Sequence, residues 1–111
     1  MVIKDEIARH SNEFRVLCQT HKVKSLYAFG SSTTANFDRI RSDIDLLVDL
    51  DIPDPIERGE NLISLWDTFE IFFKRKVDLL TSSSIRNPYL KKDIESTKIL
   101  IYDGKGSKVL I

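Results

Sequence analysis

Short apolar runs alternate with helical segments along this 111-residue chain, and their order limits the folds open to it. Runs rich in β-branched and aromatic residues predict four strands, at 23–29, 44–50, 76–80 and 98–102. Apolar residues at helical spacing predict three helices, at 3–20, 56–74 and 84–95. The link between the first two strands carries no full helix, so the sheet must be mixed. We therefore predict an α+β (α/β) fold with a small mixed β-sheet of about four strands and helices packed against it.

The helical spacing also predicts which side chains face the core. For the long helix these are Leu62, Ile63, Trp66, Phe69 and Phe73, and for the last helix Ile85, Leu90 and Ile94. The length predicts a single domain over 1–111, with an N-terminal helix at 3–20, a core at 23–103 and a short tail at 104–111.

Composition narrows the class of protein. Lys plus Arg and Asp plus Glu both total 17, so the net charge is zero. This balance argues against strong nucleic-acid binding by charge alone. Cys18 is the only cysteine and fits a buried thiol in a reducing compartment. No apolar run approaches the roughly 20 residues that cross a bilayer, so we expect a cytoplasmic protein without membrane contact.

Two aspartates at the start of the second strand are the sharpest chemical feature. Asp43 and Asp45 flank Ile44, and side chains at i and i+2 leave a strand on the same face. Two carboxylates on one face repel each other unless a cation lies between them. Oxygen ligands of this kind suit Mg²⁺. The pattern is short, however, and two solvent-exposed acids at a strand end would satisfy it equally well.

A cluster of small polar residues follows the first strand, beginning with Gly30, Ser31 and Ser32. Glycine allows a backbone to approach a phosphate closely, and adjacent N–H groups form an anion-binding concavity. The Ser31 hydroxyl can add a donor. An ordinary turn at a strand end would use the same residues.

A third aspartate lies inside the third strand. Asp78 alternates with Val77 and Leu79, so it points toward the face of Asp43 and Asp45 if the two strands are neighbours. Burying an unpaired charge is costly, which makes a single acid in a short apolar strand unusual. A solvent-facing aspartate is the alternative.

The three features in this order resemble the minimal nucleotidyltransferases of the DNA polymerase β-like superfamily. The stretch LYAFGSSTTANFDRIRSDIDLLVDL is similar to that family's strand, Gly-Ser and D-x-D motif, and KRKVDLL is similar to its third-aspartate strand. The resemblance spans roughly 23–103 and implies the polymerase β-like palm fold. The chain departs from the family pattern in having eleven residues between Ser31 and Asp43 instead of ten, and Ser32 where the family often has Arg.

The resemblance implies Mg²⁺-dependent transfer of a nucleoside monophosphate from ATP or another nucleoside triphosphate. Asp43, Asp45 and Asp78 would be the catalytic residues and would hold two Mg²⁺ ions. Gly30, Ser31 and Ser32 would bind the nucleotide, with the Gly30 N–H and the Ser31 hydroxyl on the triphosphate.

The resemblance also suggests a partner. Minimal nucleotidyltransferases are often paired with a HEPN-domain toxin, and such an antitoxin can transfer AMP to a toxin tyrosine. Two alternatives remain open. The chain could be a binding module that neutralises a partner by contact, or an interaction domain with ordinary surface acids. An oligomer is compatible with each of them.

Overall fold

The computed structural model describes residues 2–33 and 43–111. Within these ranges the chain forms four α-helices and a five-stranded mixed sheet, which confirms the predicted fold class. The helices are α1 (Val2–Arg9), α2 (Ser11–Thr20), α3 (Pro55–Phe73) and α4 (Pro88–Thr97). The strands are β1 (Val23–Ala28), β2 (Ile44–Leu50), β3 (Val77–Leu80), β4 (Ile99–Asp103) and β5 (Lys108–Val109).

The strands lie in the order β3-β2-β1-β4-β5. Strand β1 pairs antiparallel with both β2 and β4, and β4 pairs antiparallel with β5. Strands β2 and β3 are parallel, because the long helix α3 carries the chain back across the sheet between them. The predicted site aspartates Asp43, Asp45 and Asp78 therefore lie at or near the start of the one parallel pair of strands in the described sheet.

The predicted single helix at 3–20 is wrong. His10 has φ −133° and ψ 42°, which lie outside the helical region, and it separates α1 from α2. The His10 carbonyl accepts from the Phe14 N–H at 2.9 Å and so starts the second helix. Ser11 and Asn12 favour helix starts over helix interiors, which explains a break at this point.

One face of the sheet carries the main core. Strand β2 contributes Ile44, Leu46, Val48 and Leu50 to it, and helices α1 to α3 cover it. The most deeply buried helical side chains there include Ile3, Ile7, Phe14, Leu65 and Phe69. The prediction that Ile63 faces the core is wrong, since it is 66% exposed and Leu65 is buried instead. The phase of α3 differs from the predicted one because Leu62 and Trp66 lie at the edge of its buried stripe.

The opposite face is covered by α4. Here Phe29, Leu47 and Ile94 form a second apolar cluster, with Tyr27, Leu80 and Ile85 packed against it. Helix α4 begins at Pro88, after Asn87 caps it by accepting from the Tyr89 and Leu90 N–H groups. The predicted start at residue 84 is therefore too early, and Leu90, predicted to face inward, is 36% exposed in the first turn.

The single cysteine lies in the main core, as predicted. Cys18 is fully buried, and this burial raises the pKa of its thiol to about 12. The thiol therefore stays protonated at neutral pH and is a poor nucleophile. In the part of the chain that the structure describes, no helix combines the length and apolarity needed to cross a membrane.

Candidate active site

The parallel pairing of β2 and β3 places two of the predicted aspartates side by side. Asp45 and Asp78 are register partners in this ladder. Neighbouring strands lie about 4.8 Å apart, so the two side chains leave the sheet next to each other. Both belong to the α4 face, because Asp45 alternates with the core residues Ile44 and Leu46.

Side chains of α3 fix the position of β3. The Trp66 Nε1–H donates to the Val77 carbonyl at 2.7 Å, and the Val77 N–H donates to Glu70 Oε2 at 2.9 Å. These contacts occupy backbone groups of Val77, which begins this edge strand. Asp78 is the next residue, so α3 holds its backbone in place opposite Asp45.

The carboxylates form one electrostatic cluster. Asp43 and Asp78 are exposed, whereas Asp45 between them is half-buried. Burial and then the negative charges of Asp78, Asp43 and Asp93 raise the pKa of Asp45 from 3.8 to about 6. The structure thus brings Asp43 and Asp78 near enough to Asp45 to oppose its ionisation.

The turn after β1 packs directly against the Asp45 carboxylate. Gly30 has φ +63°, in the left-handed region, and starts a 3₁₀ turn over Gly30–Thr33. A Cβ atom at this position would lie 3.0 Å from Asp45 Oδ2. Glycine is therefore required here by its backbone conformation and by the closeness of the carboxylate.

The turn is also tied to the backbone of Asp45. The Asp45 N–H donates to Ser32 Oγ at 2.9 Å, and the Asp45 carbonyl accepts from the Phe29 N–H at 3.1 Å. The Ser32 residue is buried, with 1% exposure, so its hydroxyl oxygen supports Asp45. Ser31 lies in the same turn, and its side chain is outside the described part of the structure.

The Gly30 N–H, predicted to bind the triphosphate, has a partner within the protein. This group donates to Thr97 Oγ1 of α4 at 2.9 Å, so it is already satisfied within the protein. Sequence reasoning did not single out Thr97 or Asp93. A signal for both residues was present in the sequence, since Ile94 was predicted to face inward. Asp93 and Thr97 are near Ile94 on α4, so they must lie beside the same face of the sheet.

The donor set suits a divalent cation shared with a ligand. Within residues 2–33 and 43–111, no three His, Cys, Asp or Glu side chains are gathered into a closed metal-binding group. Mg²⁺ is usually held by one or two carboxylates together with phosphate oxygens and water, so a closed group is not required. Burial is the main cause of the raised pKa of Asp45, and the negative charges of Asp78, Asp43 and Asp93 add to it; a bound cation would offset these charges.

The site combines paired aspartates with a glycine turn, on a mixed sheet with helices on both faces. This combination is typical of phosphoryl-transfer enzymes. Comparison with known proteins agrees with this class. The model of the nucleotidyltransferase domain family matches residues 12–101, and the chain belongs to that family. It is therefore a nucleotidyltransferase.

The relatives are of similar length. Two proteins of Methanocaldococcus jannaschii, both named as predicted protein adenylyltransferases, are 38% and 37% identical to this chain over 99 residues. Each match covers 89% of this chain and 94% of the relative.

Solved structures share the fold. One described as a predicted minimal nucleotidyltransferase has a TM-score of 0.57 at 24% identity, covering 85% of this chain and 92% of that chain. A chain of a toxin–antitoxin structure with AMP-PNP has a TM-score of 0.52 at 25% identity, covering 83% of this chain and 72% of that chain.

Proposed function

We propose that this protein is a Mg²⁺-dependent protein adenylyltransferase that transfers AMP from ATP to a hydroxyl group of a partner protein. The observation that carries the proposal is the register pairing of the half-buried Asp45 with Asp78, where burial and then the acids around it raise the pKa of Asp45. A site of this kind favours a divalent cation, and a nucleoside triphosphate bound with Mg²⁺ supplies one together with phosphate oxygens as further ligands.

Each predicted residue receives a role in this proposal. Asp43, Asp45 and Asp78 hold Mg²⁺, which when bound stabilises charge on the entering and leaving oxygens. The turn of Gly30, Ser31 and Ser32 lies beside the triphosphate. Ser31 and Ser32 are its candidate donors, because a serine hydroxyl that accepts a hydrogen bond can still donate its own proton.

The transfer itself is a single displacement. The acceptor hydroxyl oxygen attacks the α-phosphorus of ATP, the bond from that phosphorus to the bridging oxygen of the β-phosphate breaks, and pyrophosphate leaves with the electron pair. The acceptor proton passes to a carboxylate. Asp78 is the candidate, because it is exposed at the edge strand where an incoming side chain has access.

The partner is proposed to be a HEPN-domain toxin, with this chain as its antitoxin and a tyrosine as the acceptor. The names of the archaeal relatives support protein as the acceptor class. The toxin–antitoxin structure with AMP-PNP supports an adenine nucleotide and a protein partner.

The test uses ATP labelled at the α-phosphate or, separately, at the γ-phosphate. The purified protein is incubated with Mg²⁺ and the protein that co-purifies with it from its native host. We expect the partner to acquire the α-label, none of the γ-label, and a mass increase of one AMP on one or more tyrosines. Chelation of Mg²⁺ should prevent the transfer.

Variants of one strand provide the matched controls. Asp45→Asn should abolish transfer, whereas Asp49→Asn should retain it, because Asp49 is exposed in β2 and does not contribute to the raised pKa of Asp45. A tight complex that never becomes labelled would refute catalysis and support the contact-only binding module. Labelling by Asp45→Asn at the wild-type rate would refute the assignment of the site.

A further inference from the structure

One hydroxyl on α4 joins this helix to the turn that contacts the Asp45 carboxylate. Thr97 Oγ1 donates to the Asp93 carbonyl at 2.8 Å and accepts from the Gly30 N–H at 2.9 Å. We call these two hydrogen bonds the Thr97 bridge. Because a hydroxyl has a single proton, its donation to Asp93 directs a lone pair toward Gly30.

We infer that Thr97 is a positioning residue of the transfer site, an inference that rests on the proposed function. Thr97 acts through Gly30, whose left-handed backbone places its Cα against Asp45. The Thr97 bridge fixes the first residue of the turn, and Ser32 fixes the third through the Asp45 N–H. The turn is therefore held at two points, one on α4 and one on β2.

The effect of losing the bridge follows from this geometry. Without the hydroxyl, the part-buried Gly30 N–H has no acceptor in α4 and must turn toward water or another oxygen. The turn then shifts relative to Asp45, and small displacements of catalytic groups are costly in rate. Removal of one hydroxyl leaves the fold intact, since α4 remains anchored by the buried Ile94 and capped by Asn87.

The test compares three variants. Thr97→Val removes the hydroxyl at constant shape, and Thr97→Ser keeps it. Thr68→Val is the matched control, because Thr68 Oγ1 donates to the Ser64 carbonyl four residues earlier in α3, at 2.7 Å, and lies away from the turn. The measurements are kcat and KM for ATP, melting temperature, and amide hydrogen exchange of Gly30 by NMR in the nucleotide-free protein.

For Thr97→Val we expect kcat to fall by about 10- to 100-fold while KM for ATP changes by less than about threefold. Gly30 amide exchange should accelerate by at least about tenfold, because its hydrogen bond is gone. Thr97→Ser should stay within about threefold of the wild type in both measurements, and Thr68→Val should match the wild type. A loss in Thr97→Ser as large as that in Thr97→Val would overturn the inference, as would an equal loss in Thr68→Val.

The exchange measurement separates this inference from the proposed function. If the wild-type protein transfers no AMP, the proposed function fails. The exchange rate of the Gly30 amide then tests by itself whether the Thr97 bridge holds the turn. Faster exchange in Thr97→Val than in Thr97→Ser supports the bridge in that case. Unchanged Gly30 protection in Thr97→Val overturns it, whatever the activity.

Discussion

Replacing Asp45 by asparagine should stabilise the metal-free protein while removing its activity. Asp45 is half-buried, and Asp78, Asp43 and Asp93 oppose its ionisation, so its pKa rises from 3.8 to about 6. That difference corresponds to about 3 kcal/mol of destabilisation once the group is ionised. Solvent screening of a half-buried carboxylate reduces the expected effect to about 1–2 kcal/mol. Asparagine has nearly the same shape and carries no charge.

The pH dependence gives the sign of the effect. Because the folded state binds the proton more tightly, the contribution of Asp45 to stability is complete below about pH 4 and is lost as pH rises through about 6. Asp45→Asn should therefore exceed the wild type in stability at pH 7.5 and lose this advantage at about pH 4.

The assay is thermal unfolding in chelator at both pH values, with Asp49→Asn as the control for removing one charge from β2. At pH 7.5 we expect the melting temperature of Asp45→Asn to rise by about 4–8 °C, given the size of the domain. The reasoning is refuted if Asp45→Asn melts at or below the wild type at pH 7.5, or if Asp49→Asn gains as much.

Three further predictions concern the turn and the ligand. Gly30→Ala should lower the unfolding free energy by about 1–2 kcal/mol and reduce AMP transfer, because it places a Cβ at positive φ, 3.0 Å from Asp45 Oδ2. The control is Gly59→Ala in α3, where the added Cβ meets open space. This variant should raise the unfolding free energy by about 0.5–1 kcal/mol in urea unfolding. Equal losses of stability in both variants would contradict this account. Ser32→Ala should cost about 1–3 kcal/mol in the same assay, since it leaves the Asp45 N–H without its acceptor, and wild-type stability would contradict the contact. Mg²⁺ with AMP-PNP should raise the melting temperature of the wild type by ligand linkage but not that of Asp45→Asn, and equal shifts would place the nucleotide elsewhere.

The sequence was sufficient for the parts of the fold that depend on local pattern. The strand at 44–50 and the long helix after Pro55 follow from β-branched runs, helical spacing and proline, and the structure has both. The failures have tertiary causes. Ile63 and Leu90 fit an apolar stripe by spacing, yet packing against the sheet buries Leu65 in place of Ile63 and leaves Leu90 partly exposed. The inward position predicted for Ile94 is confirmed.

In the candidate site, too, local pattern predicts some residues and tertiary packing determines the others. Asp45 and Asp78 are recognisable because acids interrupt apolar strands, but their pairing in register depends on the crossover through α3. Thr97 and Asp93 stand on an amphipathic helix whose polar residues look like ordinary surface. Ile94 indicates which side of α4 faces the sheet, but the point at which α4 docks is set by tertiary contacts, and this docking brings Thr97 to Gly30 and Asp93 near Asp45.

Hydrogen bonds at both backbone groups of Asp45 hold strand β2 in place relative to the end of β1 and the turn that follows it. The Asp45 carbonyl is bound by the Phe29 N–H and its N–H by Ser32, so the registration of β2 is set by residues on the β1 side of the intervening segment. In relatives or engineered variants that keep Phe29 and Ser32 in these contacts, the two hydrogen bonds would hold Asp45 at the same place along β2 when the number of residues before Asp43 differs.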